Sequence, residues 1–165
     1  MKNFLLFIVF CSFWACKNDN KPKTQNFAFP NVAYTKAVAY HFDDTQAREN
    51  IVTKAGTLNA NIKKEQELNP EQIKHFLGLV NNPDSYGGMS HRCFEPRLGV
   101  VFYDAQNKIA AHMSICFQCN NFSSTPVVAK REDMPDGSSA YSELGRQKLV
   151  DFCKSLNFGQ CGTLD

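Results

Sequence analysis

From residue 33 the chain alternates. Tyr34, Val38, Tyr40 and Phe42 fall at even positions of AYTKAVAYHF, and that two-residue period predicts a strand over 33–42. In GTLNANI, Leu58 and Ile62 share a side, so a second, more polar strand is predicted over 57–63. The period then changes. In ELNPEQIKHFLGLVNN, Ile73, Phe76, Leu77 and Val80 form an i, i+3, i+4, i+7 stripe. Asn69 can cap the helix, Pro70 suits its first position and Gln72 completes a capping box. Leu68 and Ile73 add the spacing of a hydrophobic staple, and the predicted helix runs from 70 to about 81. His75 lies off the stripe, on the exposed side.

Pro83, Gly87 and Gly88 break the pattern. Two apolar runs, 98–103 and 109–117, follow with DAQNK between them and read as a β-hairpin. Tyr141, Leu149, Phe152 and Leu156 then lie on one side of a helical projection over 139–156, where Gly145 would let the helix approach the sheet closely. The connection before it, KREDMPDGSS at 130–139, reads as a solvated surface loop. These elements predict a compact α+β domain, a small antiparallel sheet packed with two principal helices.

The first residues belong to a different category. After MKN, the segment FLLFIVFCSFWA is 12 residues long and almost wholly apolar, short of the roughly 20 residues a spanning helix needs. It reads as a secretory leader, with Ala15 immediately before Cys16. The tract resembles the signal of bacterial lipoproteins, although Phe13 and Trp14 stand where that class places a compact aliphatic residue and a small one. The resemblance implies cleavage after residue 15, acylation of Cys16 and attachment to a lipid membrane. Lys17 in place of Asp favours the outer membrane, with its periplasmic and external faces both open. The chain then divides into a signal over 1–15, a polar tether over 16–27 and one globular domain over 28–165.

Of 18 Lys and Arg only Lys2 lies in the leader, leaving 17 against 16 Asp and Glu, without a basic cluster. That balance argues against a nucleic-acid partner.

Removing Cys11 with the leader and committing Cys16 to lipid leaves Cys93, Cys116, Cys119, Cys153 and Cys161. Folding the hairpin about DAQNK places Tyr103 beside Ile109, Val100 beside His112 and Leu98 beside Ser114. Continued outward, the same mirror relation brings Cys93 near Cys119 and Pro96 near Cys116. Three sulfurs therefore gather at the open end of the hairpin. In an envelope setting they can form disulfides, Cys93 with Cys116 or Cys119 and Cys153 with Cys161, or they can tie the hairpin to the last helix. With His91 they also offer one nitrogen and three sulfur donors, a set suited to zinc, or to copper(I) if fewer coordinate. His112 lies about 13 Å from Cys116 along an extended strand and reads as a strand residue.

The Cys116–Cys119 spacing allows thiol–disulfide exchange as well, but NNFSSTP follows where a thioredoxin-like site has a helix. Haem-attachment, zinc-deaminase, nucleophile-elbow, phosphate-loop and zincin motifs are missing, so the sequence names no enzymatic activity. Arg97 can bind an acidic ligand or organise Glu95, and Phe94, Phe117 and Phe122 can wall a pocket or fill the core. Three functions follow. The first is a disulfide-stabilised envelope lipoprotein that binds a small ligand or an envelope protein. The second is a zinc- or copper-binding lipoprotein, and the third a thiol–disulfide oxidoreductase.

Overall fold

The computed structural model describes residues 28–42, 48–128, 140–159 and 161–162. The leader, Cys16, the tether over 16–27 and the whole of the charged 130–139 connection lie outside them. Five strands, β1 (Lys36–Phe42), β2 (Ile62–Glu67), β3 (Leu98–Tyr103), β4 (Ile109–Cys116) and β5 (Asn121–Thr125), form one antiparallel sheet in the order β2-β1-β3-β4-β5. Two helices, α1 (Pro70–Val80) and α2 (Glu143–Ser155), pack on one face, which is the α+β arrangement expected.

The central strand β3, LGVVFY, is buried along its whole length. Leu98, Val100 and Phe102 face the helices with Phe76, Leu149 and Phe152. Val101 and Tyr103 face the other way, into a smaller core with Val38, Tyr40, Phe42, Ile51 and Val52. A strand covered on both faces reads as a continuous apolar run, whereas β1 alternates small residues, Ala37 and Ala39, toward the helices with large ones behind. Tyr34 does not continue the β1 stripe: it precedes the strand and packs edge-on against Phe102, with ring centroids 5.0 Å apart.

The helix ends follow the cap chemistry. Asn69 Oδ1 accepts from the Gln72 backbone N–H at 2.8 Å, and Gln72 Oε1 accepts from the Asn69 N–H at 2.9 Å. In α2 the cap is Ser142, whose Oγ accepts from the Gly145 N–H at 3.1 Å. The helix therefore starts later than 139, and Tyr141 lies outside it in a single bridge to Tyr86.

The hairpin register differs from the mirror relation by one residue. Tyr103 does pair with Ile109, but an irregularity between Phe102 and Tyr103 moves the remaining pairs to Val100 with Met113 and Leu98 with Ile115. His112 consequently lies opposite Val101, on the second face, half-buried between β3 and β5. Its burial lowers the imidazole below its ordinary pKa.

Gly145 does sit at a close approach, but its neighbour is the 3-10 turn Pro83–Ser85 and not the sheet. A Cβ at 145 would run into the Ser85 carbonyl. Gly145→Ala is expected to lose stability by on the order of 1 kcal/mol, because overpacking outweighs the gain of about 1 kcal/mol in helix propensity. Gly78→Ala, where a Cβ meets nothing, should gain roughly 0.5–1 kcal/mol. Urea titration of the two variants checks this, and a stabilised Gly145→Ala would contradict the close approach.

Candidate functional site

The ends of β3, β4 and β5 that lie opposite the hairpin turn meet the loop leading from α1 into β3. Phe117, Gln118, Cys119 and Asn120 make the connection from β4 to β5, with Asn120 in the left-handed region at φ 49° that Asn tolerates better than most residues. The loop is bound to this turn by a series of hydrogen bonds. The His91 N–H donates to the Cys119 carbonyl at 2.9 Å. Asn121 Nδ2 donates to the carbonyls of His91 and Cys93 at 3.1 and 2.8 Å. Asn120 Nδ2 donates to those of Met89 and Tyr141 at 3.0 and 2.9 Å.

A disulfide joins Cys93 to Cys119, with their Cα atoms 5.5 Å apart. A second joins Cys153 at the end of α2 to Cys161, Cα atoms 5.7 Å apart. Neither of these disulfides couples the hairpin to α2. Cys116 remains a buried thiol, and its Sγ accepts from the backbone N–H groups of Glu95 and Cys119, each at 3.2 Å. Burial pushes this thiol up, the backbone donors pull against it, and the Glu95 carboxylate adds to the rise; the net direction is upward.

The neighbourhood of Cys93, Cys116 and Cys119 is therefore as the hairpin implied, but the four-donor metal set does not assemble. The Cys93 and Cys119 sulfurs are bonded to each other, His91 is exposed, and no group of three His, Cys, Asp or Glu among the described residues could hold a metal ion. Zinc and copper(I) lose two of the three thiolates that would have bound them. The Cys-x-x-Cys pair is not bonded either, and the strand β5 follows it where a thioredoxin-like site needs a helix.

Beside the disulfide lies an open depression of about 390 Å³, lined by Arg48, Asn50, Ser90, Phe94, Asn121, Phe122 and Ser123. Phe94 and Phe122 thus form part of its wall, while Phe117 is buried in the main core. Arg97 is not one of the lining residues; its backbone extends β3, donating to the Ile115 carbonyl and accepting from the Phe42 N–H. Arg48 and Asn50 come instead from the segment just before Ile51, where neither periodicity nor a motif marks them. Ile51 itself anchors that segment: its N–H donates to the buried Ser114 Oγ at 2.8 Å, and its side chain lies over Gly99.

Comparison of the chain with family models, with curated proteins and with solved structures gave no match.

Proposed function

We propose that this chain is a lipid-anchored module of the bacterial cell envelope, held at the outer membrane through acylated Cys16, that binds a small hydroxyl-rich ligand in the depression beside Cys93–Cys119. The observation that carries the reading is the composition of that depression. Phe94 and Phe122 contribute apolar surface to it, and Arg48, Asn50, Asn121, Ser90 and Ser123 contribute polar groups. A sugar ring presents C–H groups on one side and hydroxyls at its rim, which is the matching chemistry. The loop that carries Ser90 and Phe94 is tied down by the disulfide and the Asn121 amide, so little ordering is left to oppose binding. Two disulfides in one small domain support an oxidising compartment, in keeping with the leader.

Ligand-observed NMR on the detergent-solubilised full chain, with neutral sugars, amino sugars and acidic sugars as probes, tests the ligand class. Phe94→Ala and Arg48→Ala should each weaken binding about tenfold, or roughly 1.4 kcal/mol, with little change in thermal stability. Absence of saturable binding by any sugar, or unchanged affinity in both variants, would remove the depression from consideration. Intact mass and density-gradient fractionation test the anchor. Cys16→Ser should abolish acylation and leave the outer-membrane fraction without the protein.

A further inference from the structure

The three sulfurs at the end of the hairpin hold one disulfide and one thiol, and the thiol lies between the two segments that the disulfide joins. Glu95, whose N–H points at Cys116 Sγ, is two residues from Cys93; the other donor is the N–H of Cys119 itself. A cysteine's own Sγ lies at most about 4 Å from its backbone nitrogen by covalent geometry. With the Cys119 nitrogen 3.2 Å from Cys116 Sγ, the Cys116 and Cys119 sulfurs are within about 7 Å of each other.

We propose that Cys93, Cys116 and Cys119 form an internal thiol–disulfide exchange unit, in which Cys116 displaces Cys93 from Cys119. The Cys116 thiol gives its proton to water and its sulfur attacks Cys119 Sγ. A Cys116–Cys119 bond forms as the Cys93–Cys119 bond breaks, and Cys93 departs as a thiolate that takes a proton from water. One disulfide and one thiol are present before and after, so the step requires neither oxidant nor reductant. Backbone N–H groups aimed at Cys116 Sγ stabilise the attacking thiolate against the cost of its burial.

The exchange changes where the reactive group is. Cys116 and Cys119 are wholly buried, whereas Cys93 is partly exposed on the loop over β5. The unit therefore converts an inaccessible thiol into one that an external disulfide or electrophile can reach. It also unties the loop that carries Ser90 and Phe94, leaving the Asn121 and His91 hydrogen bonds to hold it. The exchange chemistry is independent of what the depression binds.

The test is peptide mapping of the native full chain after incubation with N-ethylmaleimide without reductant, followed by an acid quench. The expected product carries the label on Cys93 and a Cys116–Cys119 disulfide. Cys116→Ala, which leaves the Cys93–Cys119 bond in place, should take no label on Cys93. Cys93→Ser should be recovered with Cys116 bonded to Cys119, showing that the turn accommodates the alternative pairing. A label on Cys116 with Cys93–Cys119 intact, no label on Cys93 in the native chain, or equal labelling of Cys93 in Cys116→Ala would each overturn the proposal. So would Cys93→Ser protein isolated with Cys116 and Cys119 both free.

Discussion

Replacing Cys93 and Cys119 together by Ala is expected to lower the stability of the domain by about 3.5 kcal/mol, the chain-entropy value for a loop of this length. The two cysteines are 26 residues apart, so their bond restricts the unfolded chain more than Cys153–Cys161, which spans 8 and should contribute about 2.6 kcal/mol. Both cysteines must be changed at once, because a single replacement leaves Cys116 beside the remaining partner. Against a total of about 5–15 kcal/mol for a small domain, the loss is a large fraction. In urea at 25 °C it corresponds to a midpoint lower by roughly 2 M. A double variant that loses less than the matching Cys153→Ala, Cys161→Ala protein would show that the loop is held by its hydrogen bonds, chiefly those from Asn121, and not by the sulfur bridge.

The position of that bridge could be reasoned from the hairpin alone, even though the register was one residue off. A slip of one residue moves a strand by about 3.3 Å, small against the span over which side chains gather at a sheet end. The same slip reverses the faces, which is why His112 lies behind the sheet and not in line with Val100. The extra residue, Ala110 of β4 opposite the Phe102–Tyr103 step, leaves no mark in the residue types around it. Helix α1 was legible because its cap, first-turn proline and apolar stripe all point to one boundary. The edge strands were not. In β2, IKKEQE, pairing with β1 comes through the backbone and the side chains are mostly exposed, so burial imposes no alternation. Charged side chains on such an edge also discourage pairing with another chain. Leu58 and Ile62 do share a side, both packed against the smaller core, but the strand begins at Ile62 and runs onward, while Leu58 is bridged to Val52.

β5 was hidden for a related reason. Its residues, NFSST, are one amide, one aromatic and three hydroxyls, a composition typical of loops, yet β4 offers them a complete row of backbone partners from Cys116 to His112. That unexpected strand is what places Asn121, Phe122 and Ser123 along one wall of the depression. The aromatic walls could be anticipated because Phe94 and Phe122 flank the cysteines in sequence. Arg48 and Asn50 precede Ile51, which is anchored on Ser114 and Gly99, a long-range contact that no local pattern records.

Phe102→Ala is expected to cost about 3–5 kcal/mol, the range for a large aromatic removed from a packed interior. Phe102 is wholly buried in the main core, and three rings surround it: Tyr34 at 5.0 Å, Phe29 at 5.6 Å and Phe76 at 6.4 Å between centroids. It therefore joins the central strand to α1 and to the segment where the chain enters the domain. That entry is also held by Asn81, whose Oδ1 accepts from the Phe29 N–H at 2.8 Å and whose Nδ2 donates to the Phe29 carbonyl at 2.7 Å. Losing the ring removes an edge-on contact of Phe29, so the Phe29 amide should exchange with solvent faster than the loss of global stability alone predicts. Val101→Ala is the control, because Val101 is equally buried on the opposite face and its truncation should cost about 2 kcal/mol. Urea unfolding with amide exchange separates the two outcomes. Equal destabilisation by both variants, with Phe29 no less protected in Phe102→Ala than in Val101→Ala, would mean that the entry segment is fixed by Asn81 alone and that the aromatic cluster does not connect it to the sheet.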